Sequence, residues 1–95
     1  MLASGVNPAI KAANLAHLRR IEGQIRGIAA MVEHDRYCPD IITQVAAARQ
    51  SLRAVARNLL RNHLEHCAAA ALRGSEAQRS HMTRELLDLV SKLDR

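Results

Sequence analysis

The chain has no phenylalanine and no tryptophan, and Tyr37 is its only aromatic residue. A core must then come from Leu, Ile, Val, Ala and Met, and so much alanine favours helices that pack closely. The same lack argues against single-stranded nucleic acid held by base stacking, which needs aromatic platforms. Cysteine is scarce as well, with Cys38 and Cys67 alone. No signal-peptide pattern opens the chain, so the expected setting is a reducing cytosol. There, two thiols read as metal ligands or redox groups rather than as a disulfide framework. No run approaches the roughly eighteen apolar residues of a membrane helix, so a soluble cytoplasmic protein with no membrane partner is expected. A Gly-rich phosphate loop, a Ser-centred elbow and a carboxylate pair on an apolar face are all missing. That leaves catalysis little support beyond a Cys–His nucleophile from His63 and Cys67, and the chain is expected not to be an enzyme.

Positive charge is plentiful. Fourteen Lys and Arg stand against nine Asp and Glu, for a formal net charge of +5. The excess lies in residues 1–74, while residues 75–95 are balanced. Such an imbalance suggests a polyanionic partner. Ninety-five residues suit a single domain, residues 1–95, with residues 1–6 read as a disordered arm. A chain this small buries only a modest core alone.

The longest uninterrupted pattern runs from Pro39 to Arg73. Pro39 suits the first helical position, and Gly74 stands where a left-handed cap residue is expected. Between them Ile41, Val45, Ala48, Leu52, Ala56, Leu59 and His63 recur at steps of three and four, the period of one helix face. The spacing predicts one helix of about 34 residues, roughly 50 Å long at 1.5 Å per residue. A compact globule of this length has a radius of gyration of only about 12 Å. The helix outruns its own chain, and its apolar stripe needs a partner, most simply a second copy.

Before it, Asn7-Pro8 is a helix start. Leu15, Leu18, Ile21, Ile25, Ile28 and Val32 mark a first helix from Pro8 to His34. Gly23 and Gly27 inside it are weak points, or places where a neighbouring helix comes close. Asp35 to Cys38 is a tight connection, so the two long helices should fold back as an antiparallel hairpin. Ser75 and Gln78 have the capping-box spacing, opening a shorter third helix from Glu76 to Asp94. The expected fold class is all-α: a three-helix protomer with two long antiparallel helices and a short C-terminal one.

His63 and Cys67 are four apart and share a helix face. Cys38 stands at the start of the same helix, roughly 37 Å of rise from His63. One straight helix cannot join them, but an antiparallel copy would bring Cys38 of one chain beside His63 and Cys67 of the other. The plain alternatives are a buried small hydrophobe for Cys67 and a hydrogen-bonded core residue for His63. Two thiolates and an imidazole form a soft donor set. Three ligands suit Cu(I), whereas structural zinc usually takes four. His66 turns away from the stripe, and His17, His34 and His81 read as surface residues. Arg49, Arg53, Arg57 and Arg61 form a ladder at steps of four, and Arg19, Arg20 and Arg26 add to the first helix. A solvated charged face is the ordinary reading of such arginines, but few acids accompany them.

The runs Arg19-Arg20-Ile21-Glu22-Gly23-Gln24-Ile25-Arg26-Gly27-Ile28, Asp35-Arg36-Tyr37-Cys38, Thr43-Gln44-Val45 and His63-Leu64-Glu65-His66-Cys67 together resemble the copper-sensing operon repressors of the CsoR/RcnR family. The Cys, then His and Cys four apart, matches the copper-sensing branch. The nickel/cobalt branch carries a histidine near the N-terminus, and residues 1–10 here have none. The persulfide-sensing branch lacks the histidine matched by His63. The resemblance implies a dimer forming a four-helix bundle and pairing into a tetramer. It implies Cu(I) held between protomers by Cys38, His63 and Cys67, with supporting roles for Tyr37 and Glu85. It also implies double-stranded operator DNA as partner, contacted by residues such as Arg19, Arg20, Arg53, Arg57 and Arg61, and released on Cu(I) binding. Two departures stand out: a longer gap before Glu85, and His17 where many relatives carry an arginine. The other readings are a thiol or persulfide sensor of the same fold, and a cytosolic copper or zinc buffer with no DNA role.

Overall fold

The computed structural model describes residues 7–93; the arm expected at residues 1–6 lies outside them. Helix α1 spans Pro8–Glu33 and helix α2 spans Cys38–Asn62. A π-helical turn, His63–Ala68, and a short helix α3, Ala69–Leu72, carry on from α2 without a break, since the junction residues stay right-handed helical. Helix α4, Glu76–Leu93, folds back against α3 and the end of α2. There is no strand among the described residues. The all-α, three-helix expectation holds, with one change: the long helix is interrupted in kind, though not in direction.

The helix ends show why the chain turns where it does. The Asn7 side chain accepts a hydrogen bond from the Ala9 N–H at 2.8 Å, capping α1 as a polar N-cap residue should. At the other end the Arg36 N–H reaches the Met31 carbonyl and the Asp35 N–H reaches that of Val32. This is the Schellman pairing, and Asp35 supplies its left-handed residue with φ 52°. Helix α2 begins one residue earlier than expected. The Tyr37 carbonyl accepts from the Asp40 and Ile41 N–H groups, which makes Cys38 the first residue inside the helix. The capping box is present: the Ser75 N–H donates to Gln78 Oε1 at 2.8 Å, and the Gln78 N–H to Ser75 Oγ at 3.2 Å. Gly74 corrects an expectation. It is not left-handed; a Cβ there would push the flexible Gln78 side chain out of the position in which it makes the capping bond. Nor does any neighbouring helix of this chain approach Gly23 or Gly27: a Cβ on Gly27 would meet open space, and one on Gly23 only the Arg26 side chain of the same helix, at 3.9 Å.

Helices α1 and α2 run antiparallel. The start of α1 is tied to the end of α2 by the Asn7 N–H on Asn62 Oδ1 at 3.1 Å, and by Asn58 Nδ2 on Asn14 Oδ1 at 3.2 Å. The single stripe read from the sequence is covered only along one edge. Ile41 and Ala48 of that stripe, with Val55 and Asn62 outside it, form the more covered seam at steps of seven; Ala48, Val55 and Asn62 are buried. Val45, Leu52 and Leu59, also at steps of seven, remain 47–49% exposed. Seven-residue spacing is what a second helix packs along. The buried apolar side chains among the described residues are only Ile21, Ala48, Val55, Ala68 and Met82. At about 1.5–3 kcal/mol for each large aliphatic buried, this is a thin core. The molecule measures 57 × 27 × 18 Å with a radius of gyration of 17.5 Å, well above the roughly 12 Å of a compact chain of this length.

Candidate metal centre

His63 and Cys67 both lie in the π turn. Its bonds close from residue i to i+5, as in the Ala69 N–H on the Leu64 carbonyl. The wider turn adds backbone per revolution, so a regular 100° wheel no longer describes this stretch. Residues four apart now fall just short of one full turn, and His63 and Cys67 keep neighbouring directions. Single π turns inside α-helices are frequent at functional sites. Here the turn coincides with the predicted ligands, which the sequence periodicity gave no means of seeing. Both side chains are half-buried, whereas His66 between them is exposed.

The surroundings of His63 set its chemistry. Its side chain is 25% exposed, and Glu85 Oε1 of α4 lies 2.9 Å from Nε2. Nε2 is itself buried, and the carboxylate approaches off the ring N–H axis, so the contact is electrostatic rather than a directed hydrogen bond. A lone pair facing a carboxylate would be repelled. A neutral imidazole with its proton on Nε2 suits this neighbour better than one with a lone pair there, and would keep its Nδ1 lone pair for a metal. Glu85 also lies 3.7 Å from His81 Nε2, one turn away on α4. His81 is exposed, as read from the sequence, but its place beside Glu85 went unnoticed; the His-x-x-x-Glu spacing on a helix was the available sign. Asn62, buried directly before His63, was also missed. Its sign was a polar residue at the next step of seven after Val55.

Cys38 is exposed at the other end of the rod, and both cysteines are free thiols. Within one chain the structure does not bring Cys38 to His63 and Cys67. No group of three or more His, Cys, Asp or Glu stands ready to hold a metal among the described residues. Tyr37, beside Cys38, is 72% exposed and likewise far from His63. The same end of the hairpin thus presents both a thiol and a phenol outward.

Arg19 and Arg20 are exposed on α1, and Arg57 and Arg61 on α2. Arg53 differs: it is half-buried, and its Nη2 donates to the Leu93 carbonyl at the end of α4, at 2.8 Å.

A family model described as metal-sensitive transcriptional repressor matches residues 10–92. The chain belongs to this family. Its members are repressors and not enzymes. Among named relatives, the copper-sensing transcriptional repressor RicR of Mycobacterium tuberculosis is 56% identical over 55 residues, covering 58% of this chain and 57% of that protein. The copper-sensing transcriptional repressor CsoR of Bacillus subtilis is 45% identical over 75 residues, covering 79% of this chain and 72% of that protein. The match thus spans little more than half the length of RicR. In three dimensions the chain is similar to the copper-sensing repressor CsoR with Cu(I) from Geobacillus thermodenitrificans, with a TM-score of 0.81 and 37% identity. That alignment covers 100% of this chain and 95% of that one. The resemblance read from the sequence is thereby established for this metal-sensitive repressor. No helix among the described residues is long and apolar enough to cross a membrane.

Proposed function

We propose that this repressor is a Cu(I)-responsive switch that binds operator DNA when metal-free and releases it when Cu(I) is bound. The observation that carries the reading is His63: its buried Nε2 faces Glu85, its Nδ1 is left for a metal, and Cys67 stands beside it in the π turn. Two thiolates and one imidazole suit Cu(I). Cys38 of one protomer and His63 and Cys67 of its partner would hold the ion, because only an antiparallel copy brings the two ends of the rod together. The exposed seam of Val45, Leu52 and Leu59 supplies the surface for that copy, and a self-complementary two-fold interface then makes two equal sites. The assembly is a dimer or a tetramer of single-domain chains.

His63 is the residue that reports occupancy. A metal on its Nδ1 would polarise the Nε2–H, strengthen the attraction between His63 and Glu85, and so hold α4 more firmly to α2. DNA release follows only if the arrangement so favoured binds DNA less well, and the coupling is reciprocal. Arg19, Arg20, Arg53, Arg57 and Arg61 are the proposed phosphate contacts, and Tyr37 and Glu85 the proposed supports of the ligands.

The deciding experiment is operator binding with and without Cu(I) under reducing conditions. The expected result is a tight metal-free complex that dissociates on Cu(I) addition. Release by persulfide but not by Cu(I) would transfer the assignment to a thiol sensor. Tight Cu(I) binding with no DNA complex at all would make the chain a buffer.

A further inference from the structure

Among the described residues, two polar contacts tie α4 to the α2 rod. One is Glu85 on His63; the other is the Leu93 carbonyl, which accepts from Arg53 Nη2 at 2.8 Å. Roughly 15 Å of helix rise separates Arg53 from His63 on α2, and roughly 12 Å separates Glu85 from Leu93 on α4. The two helices therefore meet antiparallel, with one anchor at a proposed metal ligand and the other at a member of the basic ladder.

Arg53 is unlike Arg57 and Arg61. Those two are exposed, whereas Arg53 is half-buried and directed to the last turn of α4. Arg57 borders the same shallow hollow, together with Leu60, Val90 and Leu93. The carboxyl end of a helix carries a partial negative charge of about half an elementary charge, concentrated on its unpaired carbonyl groups. To a guanidinium this end presents what a phosphate presents: oxygen acceptors in a negative field. A phosphate carries more charge and binds the fork of donors more strongly, but α4 is attached to the chain and always at hand.

We infer that the carboxyl end of α4 is a built-in stand-in for a DNA phosphate, so that Arg53 is held either by α4 or by the operator backbone. Docking of α4 then takes one phosphate contact from the DNA surface. Tightening of the Glu85–His63 contact favours the docked state, and DNA favours the undocked one. Arg53 is a positioning residue that connects the two. This rests on the reading that the chain binds operator DNA through the arginines of α2.

The test uses the full-length metal-free protein and an operator duplex. Hydrogen exchange is followed at the amides of residues 88–93, with and without saturating DNA, alongside the salt dependence of DNA affinity. In the wild type, DNA should speed exchange at the end of α4 severalfold. Arg53→Gln should speed it already without DNA, remove the further response to DNA, and reduce the slope of log affinity against log salt by about 0.9. Arg57→Gln should reduce the slope similarly while leaving the α4 response intact. A bound duplex that leaves α4 exchange unchanged in the wild type overturns the inference, whatever the variants do. So does an Arg53→Gln slope equal to wild type. A wild-type protein that binds no operator duplex overturns the DNA reading itself, and the inference falls with it.

Discussion

The two ends of the α2 rod carry the same kind of donor in opposite settings. At one end Cys38 opens a regular helix behind a tight Schellman turn, and its side chain is exposed. Among the described residues nothing closes around it. At the other end His63 and Cys67 lie in a π turn, half-buried, with Glu85 against the ring and buried Asn62 just before it. The first end is built to present a thiol in a fixed place. The second is built on a wider, less regular turn and is tied to both α1 and α4. On the proposed reading, the first end would lend a fixed ligand from one protomer, and the second a set from its partner whose engagement moves something.

The strongest way to break this comparison is to remove one thiol at a time. Cys38→Ala and Cys67→Ala should each lower Cu(I) affinity by more than the roughly 100-fold that loss of a mere supporting partner can cost, read by competition against a Cu(I) chelator. If Cys38→Ala binds as tightly as wild type, the two ends do not meet and the antiparallel pairing is wrong. Next comes the moving end. His63→Ala should keep much of the affinity but lose copper-driven DNA release, taking a coupling of about 5–150-fold in operator affinity toward unity. DNA isotherms with and without Cu(I) measure this; wild-type release in that variant would make the histidine a ligand only. Smaller still is the tie to α1. Asn62→Ala removes the partner of the Asn7 N–H and should cost about 0.5–1.5 kcal/mol of stability, read from the urea midpoint at fixed protein concentration. No loss would mean that the π end is not braced through α1. The smallest effect is expected at the fixed end. Asp35→Gly relieves a left-handed residue and should add up to about 1 kcal/mol while leaving Cu(I) affinity unchanged. A changed affinity would show that the turn before Cys38 is part of the moving machinery.

Several features were legible because they depend on neighbours in sequence. Asn7-Pro8 and Ser75…Gln78 announced their helix starts, since a cap bonds to N–H groups two or three residues away. The proposed ligands Cys38, His63 and Cys67 were picked out from residue type and from the length of the rod. Others depended on what lies across the fold. Which edge of the apolar stripe is covered depends on where α1 lies, which periodicity does not say. Glu85 meets His63 only because α4 folds back at Gly74 with the right stagger. Arg53 looked equivalent to Arg57 because both are arginines on one ladder; the difference is the end of α4, forty residues on in the chain.

By itself, the sequence determined that this protein is helical, that its longest helix exceeds what one chain can cover, that its donors are soft, and that it belongs with metal-sensing repressors. Those properties follow from local periodicity, side-chain chemistry and short motifs, which are set within a few residues. Only the tertiary structure decided that the turn carrying His63 and Cys67 is π rather than α, which nitrogen of His63 faces a carboxylate, and which arginine is taken by α4. These depend on the relative placement of three helices. A regular α-turn and a π turn differ by one residue of backbone, a difference in local bonding small enough for packing against α1 and α4 to decide.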